Sequence, residues 1–320
     1  MGLVKECLID GHTHVGVDLL FYLRGYYPYA QDWPTLVSKG EAAGISRFVV
    51  FPMVSHLALN VAELREGRIS ESGGLEGVPY AFENRRLMVE LTRRFPEHAK
   101  AALPLWMIDP SRSQRGQVDA LRKLDEEFPC SGLKIQATVI QSFILDLLGP
   151  GTGLLDLAEE KNWPVLIHTS VHPEDPWSRV EDILAVAKAR PGIRFNLAHS
   201  CRFDLAALDE VASLPNTWSD CSAHRIHCQT AVKNVANIAP EGRRFPSDYR
   251  DPVQVLGDLA EKYPSKVIWG SDAPFDSYVD DDYDLRSTYK EEADVLHQLG
   301  DETKRRIGST NTLDFLGINS

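Results

Sequence analysis

A closed α/β barrel with eight (β/α) units is the fold class this sequence predicts. Three observations predict it. Eight short apolar runs alternate with eight longer amphipathic stretches. The apolar runs are continuous, the pattern of strands covered on both faces of a parallel sheet. The length, 320 residues, suits one barrel of roughly 250 residues carrying insertions.

The elements follow in order. The first strand is read at 4–9 (VKECLI), and the first helix at 33–43, opened by Asp32 or the Trp33-Pro34 pair. Strand two, 45–51, leads to helix 80–94. Strand three, 100–106, leads through Asp109-Pro110-Ser111 to helix 114–128. The remaining strands are 131–136, 164–168, 193–198, 216–221 and 266–270. Their helices are 153–161, 178–189, 203–212, 251–262 and 286–298. Three connections exceed simple turns: 10–32 after strand one, 52–79 after strand two and 222–250 after strand seven. Each follows a strand C-terminus, the barrel face where sites are assembled. A doubly wound open sheet is the rival, but no G-x-G-x-x-G or phosphate-binding loop follows any strand. No internal repeat is present, so 1–320 is read as one domain.

Composition narrows the function. There are 34 Lys+Arg against 46 Asp+Glu, a formal charge of −12. That argues against nonspecific nucleic-acid or anionic-membrane partners and for a small-molecule substrate. No stretch approaches about 18 uninterrupted apolar residues, and MGLVKECLIDGHTH lacks the basic and apolar regions of a secretory signal. Five cysteines without a CxxC, Cys7, Cys130, Cys201, Cys221 and Cys228, read as free thiols. The expected compartment is the cytoplasm, and a homodimer is expected on base rates.

The chemistry lies at strand ends. Asp10-Gly-His12-Thr-His14 falls where strand one ends, and residues two apart on an extended segment share a face. Strand five ends in His168, strand six in His199, and strand eight runs into Asp272. In a closed barrel these positions converge at one mouth. Imidazoles with one carboxylate suit a borderline divalent ion, zinc first, with manganese or iron as alternatives. Such an ion would bring bound hydroxide within reach at neutral pH.

DGHTH at 10–14, LIH at 166–168, LAH at 197–199, GSDAP at 270–274 and NTLDFLGI at 311–318 together resemble the amidohydrolase superfamily. The resemblance is to its amidohydrolase-related branch, which includes aminocarboxymuconate-semialdehyde decarboxylase, resorcylate-type decarboxylases and lactone hydrolases. It implies that His12, His14, His168 and Asp272 ligate metal, that Asp272 also takes a proton, and that His199 acts as acid/base or polarises the substrate. Lys134, in Gly132-Leu-Lys-Ile, would be a carbamylated bridge, a substrate-carboxylate contact or part of an internal ion pair. The expected activity is metal-hydroxide cleavage of a small, carboxylated lactone, ester or amide. Nonoxidative decarboxylation on the same scaffold is the alternative, disfavoured because Ser-Cys-Arg-Phe follows His199 instead of a glycine-rich continuation. A noncatalytic binding barrel is the third reading, and it predicts a broken ligand set.

Substrate contacts are expected from Arg202, three after His199, and from His172, His224 and Arg225, with His227 and His56 as further histidines after strands seven and two. Segment 222–250 carries a net +3 in an acidic chain, which suggests an anionic substrate group. The aromatic loop 21–29 would either cap the pocket or form a subunit contact. Asp280, Asp281, Asp282 and Asp284 do not match a calcium loop and read as a solvated segment. No nucleophile elbow supports a serine hydrolase.

Overall fold

The computed structural model describes residues 7–54, 59–68, 70 and 77–318. His56 and parts of the connection after the second strand lie outside the described residues. Eight parallel strands form the barrel: β1 (Leu8–Val17), β2 (Ile45–Pro52), β3 (Ala102–Met107), β4 (Gly132–Ile135), β5 (Val165–Ile167), β6 (Phe195–Leu197), β7 (Thr217–Asp220) and β8 (Val267–Ile268). They pair in chain order from β1 to β8. Ala30–Gln31 adds antiparallel to the end of β1.

The ring closes between the chain after β8 and β1. Gly11 N donates to Trp269 O at 3.0 Å, Asp272 N to His12 O at 2.9 Å and His14 N to Ala273 O at 2.8 Å. Two glycines permit this approach. A Cβ on Gly11 would lie 2.5 Å from Ile268, and one on Gly270 would lie 2.9 Å from the His12 Cβ.

Strand parity sorts the core into two layers. Phe48, Val50, Leu133, Ile135, Val165, Ile167, Phe195 and Leu197 face the helices. Val49, Phe51, Leu166, Ala198, Trp218 and Ile268 face the barrel interior, where Phe315 and Leu316 of the closing helix Asn311–Leu316 join them. Each fully buried aliphatic or aromatic side chain stabilises by about 1.5–3 kcal/mol. The same parity turns Lys134, Asn196 and Asp220 inward, because their neighbours on each strand face out.

Eight helices cover the barrel: α1 (Trp33–Ala42), α2 (Ala81–Val89), α3 (Gln114–Asp125), α4 (Thr152–Glu160), α5 (Val180–Ala189), α6 (Leu205–Ser213), α7 (Pro252–Lys262) and α8 (Tyr289–His297). Asp32 caps α1 by accepting from Thr35 N, with Pro34 in the first turn. Asp204, Asp251 and Thr288 cap α6, α7 and α8 in the same way.

The structure corrects three expectations. β1 continues through Val17, so His12 and His14 sit within the strand, not after it. Apolarity stops at Ile9 because the strand's upper half lines a polar site, yet its hydrogen bonding goes on. The acidic segment is a hairpin, Tyr278–Val279 paired with Asp284–Leu285, and it turns Leu285 inward. The connection after β7 opens with a helix, His224–Lys233. Among the described residues the cysteines are free, and no helix is long and apolar enough to cross a membrane.

Candidate active site

A cavity of about 390 Å³ opens at the C-terminal ends of the strands. His12, His14 and Asp272 meet on its floor, and their ligand atoms all lie within 4.8 Å of one another. The Nε2 atoms of both histidines are 3.2 Å from Asp272 Oδ1. No donor is aligned on that buried oxygen. Tetrahedral coordination at about 2.0–2.2 Å needs ligand atoms roughly 3.4 Å apart, so two imidazoles and a carboxylate at this spacing fit a borderline divalent cation. The arrangement is a candidate metal site.

Asp220 organises it from below. This carboxylate is fully buried and accepts from His12 Nδ1 (3.1 Å), Asn196 Nδ2 (3.0 Å), His199 N (3.2 Å), Ser222 N (3.1 Å) and Ser222 Oγ (2.5 Å). Donation by Nδ1 makes Nε2 the lone-pair nitrogen of His12. Lys134 confirms the assignment, since its ammonium can only donate and lies 3.3 Å from that Nε2. Lys134 also sits 4.8 Å from the centre of the Phe51 ring.

Burial sets most of the titration behaviour. It lowers Lys134 to about 8 despite the nearby Asp220 and Asp272 carboxylates. It lowers His14 to about 4. For Asp272, burial works upward, but the His12 and His14 imidazoles outweigh it and hold the carboxyl far below its usual range. His12 is pushed down by burial and Lys134 and up by Asp220 and Asp272, with a net rise.

A second cluster occupies the wall beside the triad. Arg202 is nine-tenths buried. Its Nε donates to Thr169 O (2.8 Å), Nη1 to His227 Nε2 (2.6 Å) and Nη2 to His168 Nε2 (3.0 Å). All three acceptors are uncharged. His168 Nδ1 lies 3.0 Å from His199 Nε2, and His199 Nδ1 lies 2.9 Å from Ser222 Oγ. Burial first, then Arg202, pushes His168, His199 and His227 well below the ordinary histidine range.

The turn carrying His199 and Arg202 is left-handed. His199, Ser200, Cys201, Arg202 and Phe203 have φ of 59°, 49°, 48°, 56° and 60°. With about three residues per turn, it brings His199 and Arg202 to the same cavity wall while Cys201 and Phe203 enter the core. The opposite wall is apolar: Phe21, Val54, Phe275, Tyr278 and Leu285. Phe21 packs edge-on against Phe275 and Tyr278 at 5.3 and 5.7 Å.

The pattern of the amidohydrolase family matches residues 71–318. The chain belongs to the amidohydrolase family. Comparison with curated protein sequences finds no match. Among solved structures, an amidohydrolase from Burkholderia multivorans has TM-score 0.61 at 13% identity, covering 98% of this chain and 100% of its own. A Pseudomonas putida protein assigned as a 2-pyrone-4,6-dicarboxylic acid hydrolase has TM-score 0.60 at 15% identity, covering 98% of both chains. The 5-carboxyvanillate decarboxylase of Sphingomonas paucimobilis has TM-score 0.59 at 11% identity, covering 98% of this chain and 100% of its own. These similarities establish the barrel.

In this amidohydrolase the structure brings together His12, His14, Asp272, His168, His199, Lys134, Arg202 and His172 around one cavity. His168 stands apart from the triad, its ring held by His199 and Arg202. His172 is half-buried at the rim and accepts from Glu174 N. His224 and Arg225 are placed elsewhere. Their helix turns the His224 ring onto Pro252 O at 2.8 Å and Arg225 toward Glu291 at 3.4 Å. One turn on, His227 faces the cavity instead. The arginines of 222–250 do not gather over the mouth either: Arg243 pairs with Asp204, and Arg244 bonds the carbonyls of Ala231 and Ala239. The aromatic loop divides, with Phe21 in the cavity wall and Tyr22 and Tyr27 exposed.

Sequence reasoning missed Asp220, Ser222 and Asp18. Asp220 carried a usable signal: in NTWSDC it falls on the inward parity, at the same level as His168. Asp18 lines the cavity while capping a short helix through Phe21 N, and burial raises it to about 7.

Proposed function

We propose that this amidohydrolase is a metal-dependent hydrolase of a small carboxylated lactone, ester or amide. One observation carries the reading: a single cavity is lined by the His12–His14–Asp272 triad and by a buried guanidinium, Arg202, whose bonds all go to uncharged acceptors. Burying such a cation is costly unless an anion completes it. A ligand carboxylate supplies that anion, with bidentate geometry matched to the guanidinium fork.

A divalent ion on the triad, zinc by the donor set, would polarise a carbonyl and make water acidic enough to attack it near neutral pH. The chain's own groups do the rest. Asp220 holds His12 in the tautomer that presents Nε2 to the cavity floor. Asp272, whose Oδ2 lies 3.9 Å from His199 Nδ1, would take the proton from the attacking water. Arg202 orients the substrate by its carboxylate. Phe21, Phe275 and Tyr278 exclude bulk water, which strengthens each electrostatic contact inside.

The direction of the hydrogen bonds favours hydrolysis over decarboxylation. His168 donates to His199 Nε2, and the His199 N–H points at Ser222. His199 therefore aims no proton at a substrate carbon. Two fold neighbours with carboxylated substrates in their names, a pyrone-dicarboxylate hydrolase and a carboxyvanillate decarboxylase, support an anionic substrate and define the contest.

The test is a screen of carboxylated lactones, esters, amides and aromatic carboxylates with zinc- or manganese-loaded protein. Proton release and evolved CO₂ are followed together, and metal content is measured by elemental mass spectrometry. The expected result is about one equivalent of metal and acid release without CO₂, both lost in His12→Ala and Asp272→Ala. CO₂ evolution would replace hydrolysis with decarboxylation. Absence of bound metal after reconstitution would overturn both.

A further inference from the structure

We propose that Arg202 withholds His168 from a cation on the His12–His14–Asp272 triad, and that an anionic ligand releases it, so that cation and anion bind with positive coupling. The inference rests on the metal-site reading and concerns how that site is completed.

A guanidinium can only donate. His168 Nε2, 3.0 Å from Arg202 Nη2, is therefore an acceptor. A neutral imidazole has one lone pair, so the proton of His168 resides on Nδ1, which donates to His199 Nε2 at 3.0 Å. Both ring nitrogens are committed, and no lone pair remains for a metal. The geometry agrees: the triad converges within 4.8 Å without His168, although His168 lines the same cavity.

The guanidinium is built to pivot, not to leave. Its Nε stays on Thr169 O at 2.8 Å, and its backbone is pinned where Ala239 N donates to Arg202 O at 3.0 Å. Only the two Nη contacts, both to imidazole lone pairs, need to exchange. A carboxylate is the stronger acceptor for that fork. Drawn to it, Arg202 uncovers the lone pair of His168 Nε2 within the cavity that the triad also lines, and a three-ligand site gains a fourth ligand. Linkage makes the effect reciprocal, so the cation tightens the anion by the same factor.

Simple charge neutralisation would also couple the two ligands, because Arg202 repels a cation. The variants separate these. Mn²⁺ affinity is measured by the electron paramagnetic resonance signal of the free ion, with and without saturating benzoate, a weak chelator. Wild type is expected to bind Mn²⁺ at least about fivefold tighter with benzoate, within the usual range of coupling. His168→Ala and His168→Gln keep the Arg202 charge but lose the withheld ligand, and the ratio falls to about one. Arg202→Met and Arg202→Gln free His168 permanently, and bind Mn²⁺ without benzoate at least as tightly as wild type with it. Circular dichroism shows which variants fold, and either member of each pair suffices. A benzoate effect that persists in the His168 variants overturns the inference and leaves the metal site standing. Absence of Mn²⁺ binding in wild type and all variants overturns both.

Discussion

Asp220→Asn tests how the candidate site is held together, and its cost can be worked from five donors. Oδ1 accepts from His199 N, Ser222 N and Ser222 Oγ, and Oδ2 from His12 Nδ1 and Asn196 Nδ2. The least costly placement of the asparagine keeps its carbonyl on the three-donor side. Its amide then faces two donors. Hydrogen bonds to a charged acceptor contribute about 1.5–3 kcal/mol each, so losing two destabilises by about 3–5 kcal/mol after some relaxation. With a urea dependence of about 3 kcal/mol per molar, the midpoint falls by about 1–1.7 M. The second effect falls on His12. Facing an amide donor, its Nδ1 becomes an acceptor and its proton moves to Nε2, the atom offered to a metal. Loss of a supporting carboxylate of this kind lowers metal affinity about 10–100-fold. Urea unfolding of the metal-free protein and zinc equilibrium dialysis read the two effects separately. A lower midpoint with unchanged zinc affinity would refute the tautomer argument and leave Asp220 a structural residue. An unchanged midpoint would refute the donor count.

Three further outcomes follow from backbone and burial. Ser200→Gly is expected to stabilise by about 0.5–1 kcal/mol, because Ser200 sits at φ 49° and the left-handed penalty of about 1–2 kcal/mol exceeds the chain entropy glycine adds; a lower urea midpoint would count against a left-handed turn. Gly270→Ala should cost about 1–3 kcal/mol and weaken zinc binding at least about tenfold, since its Cβ would fall 2.9 Å from the His12 Cβ and 3.0 Å from His12 N; wild-type values in both assays would mean β1 and β8 are free to separate. Burial raises Asp276 to about 7, against the opposing charge of Lys39 and with help from Asp272, Asp10 and Glu291. The folded state thus keeps a proton that the unfolded chain loses near pH 4, and this group's contribution to stability falls as pH rises from about 4 to about 7. Asp276→Asn should flatten that part of the pH–stability curve, and parallel curves for the two proteins would refute the assignment.

The barrel was legible because parallel strands buried on both faces leave continuous apolar runs, and five of the eight helices begin within one residue of their expected starts. The triad was legible because ligand-type side chains directly follow or extend those runs. What stayed hidden had one of three physical causes. Asp220 lies inside a strand of mixed polarity, where parity counts more than hydropathy. His224 and His227 were both candidates, and which of them faces the cavity depends on the register of a helix within a connection, which the sequence did not show. The hairpin at 278–285 reads as solvated because its tip is acidic, while Tyr278 and Leu285, which line the cavity, are only a few residues away.

The basic connection after β7 shows why charge counted along a sequence can point to the right chemistry through the wrong residues. Its net +3 suggests arginines reaching an anion directly. Two of them instead hold the segment that clamps the left-handed turn. Arg243 pairs with Asp204, the residue after the turn, and Arg244 ties the connection to itself through Ala231 O and Ala239 O. So braced, the connection donates Ala239 N to Arg202 O and Phe245 N to Phe203 O at 2.8 Å. Five consecutive non-glycine residues in the left-handed region cost roughly 1–2 kcal/mol apiece, and local preference alone would unwind them. The clamp, with Cys201 and Phe203 in the core, keeps them wound. One guanidinium is thereby aimed into the cavity, and the surrounding positive charge serves to keep it there.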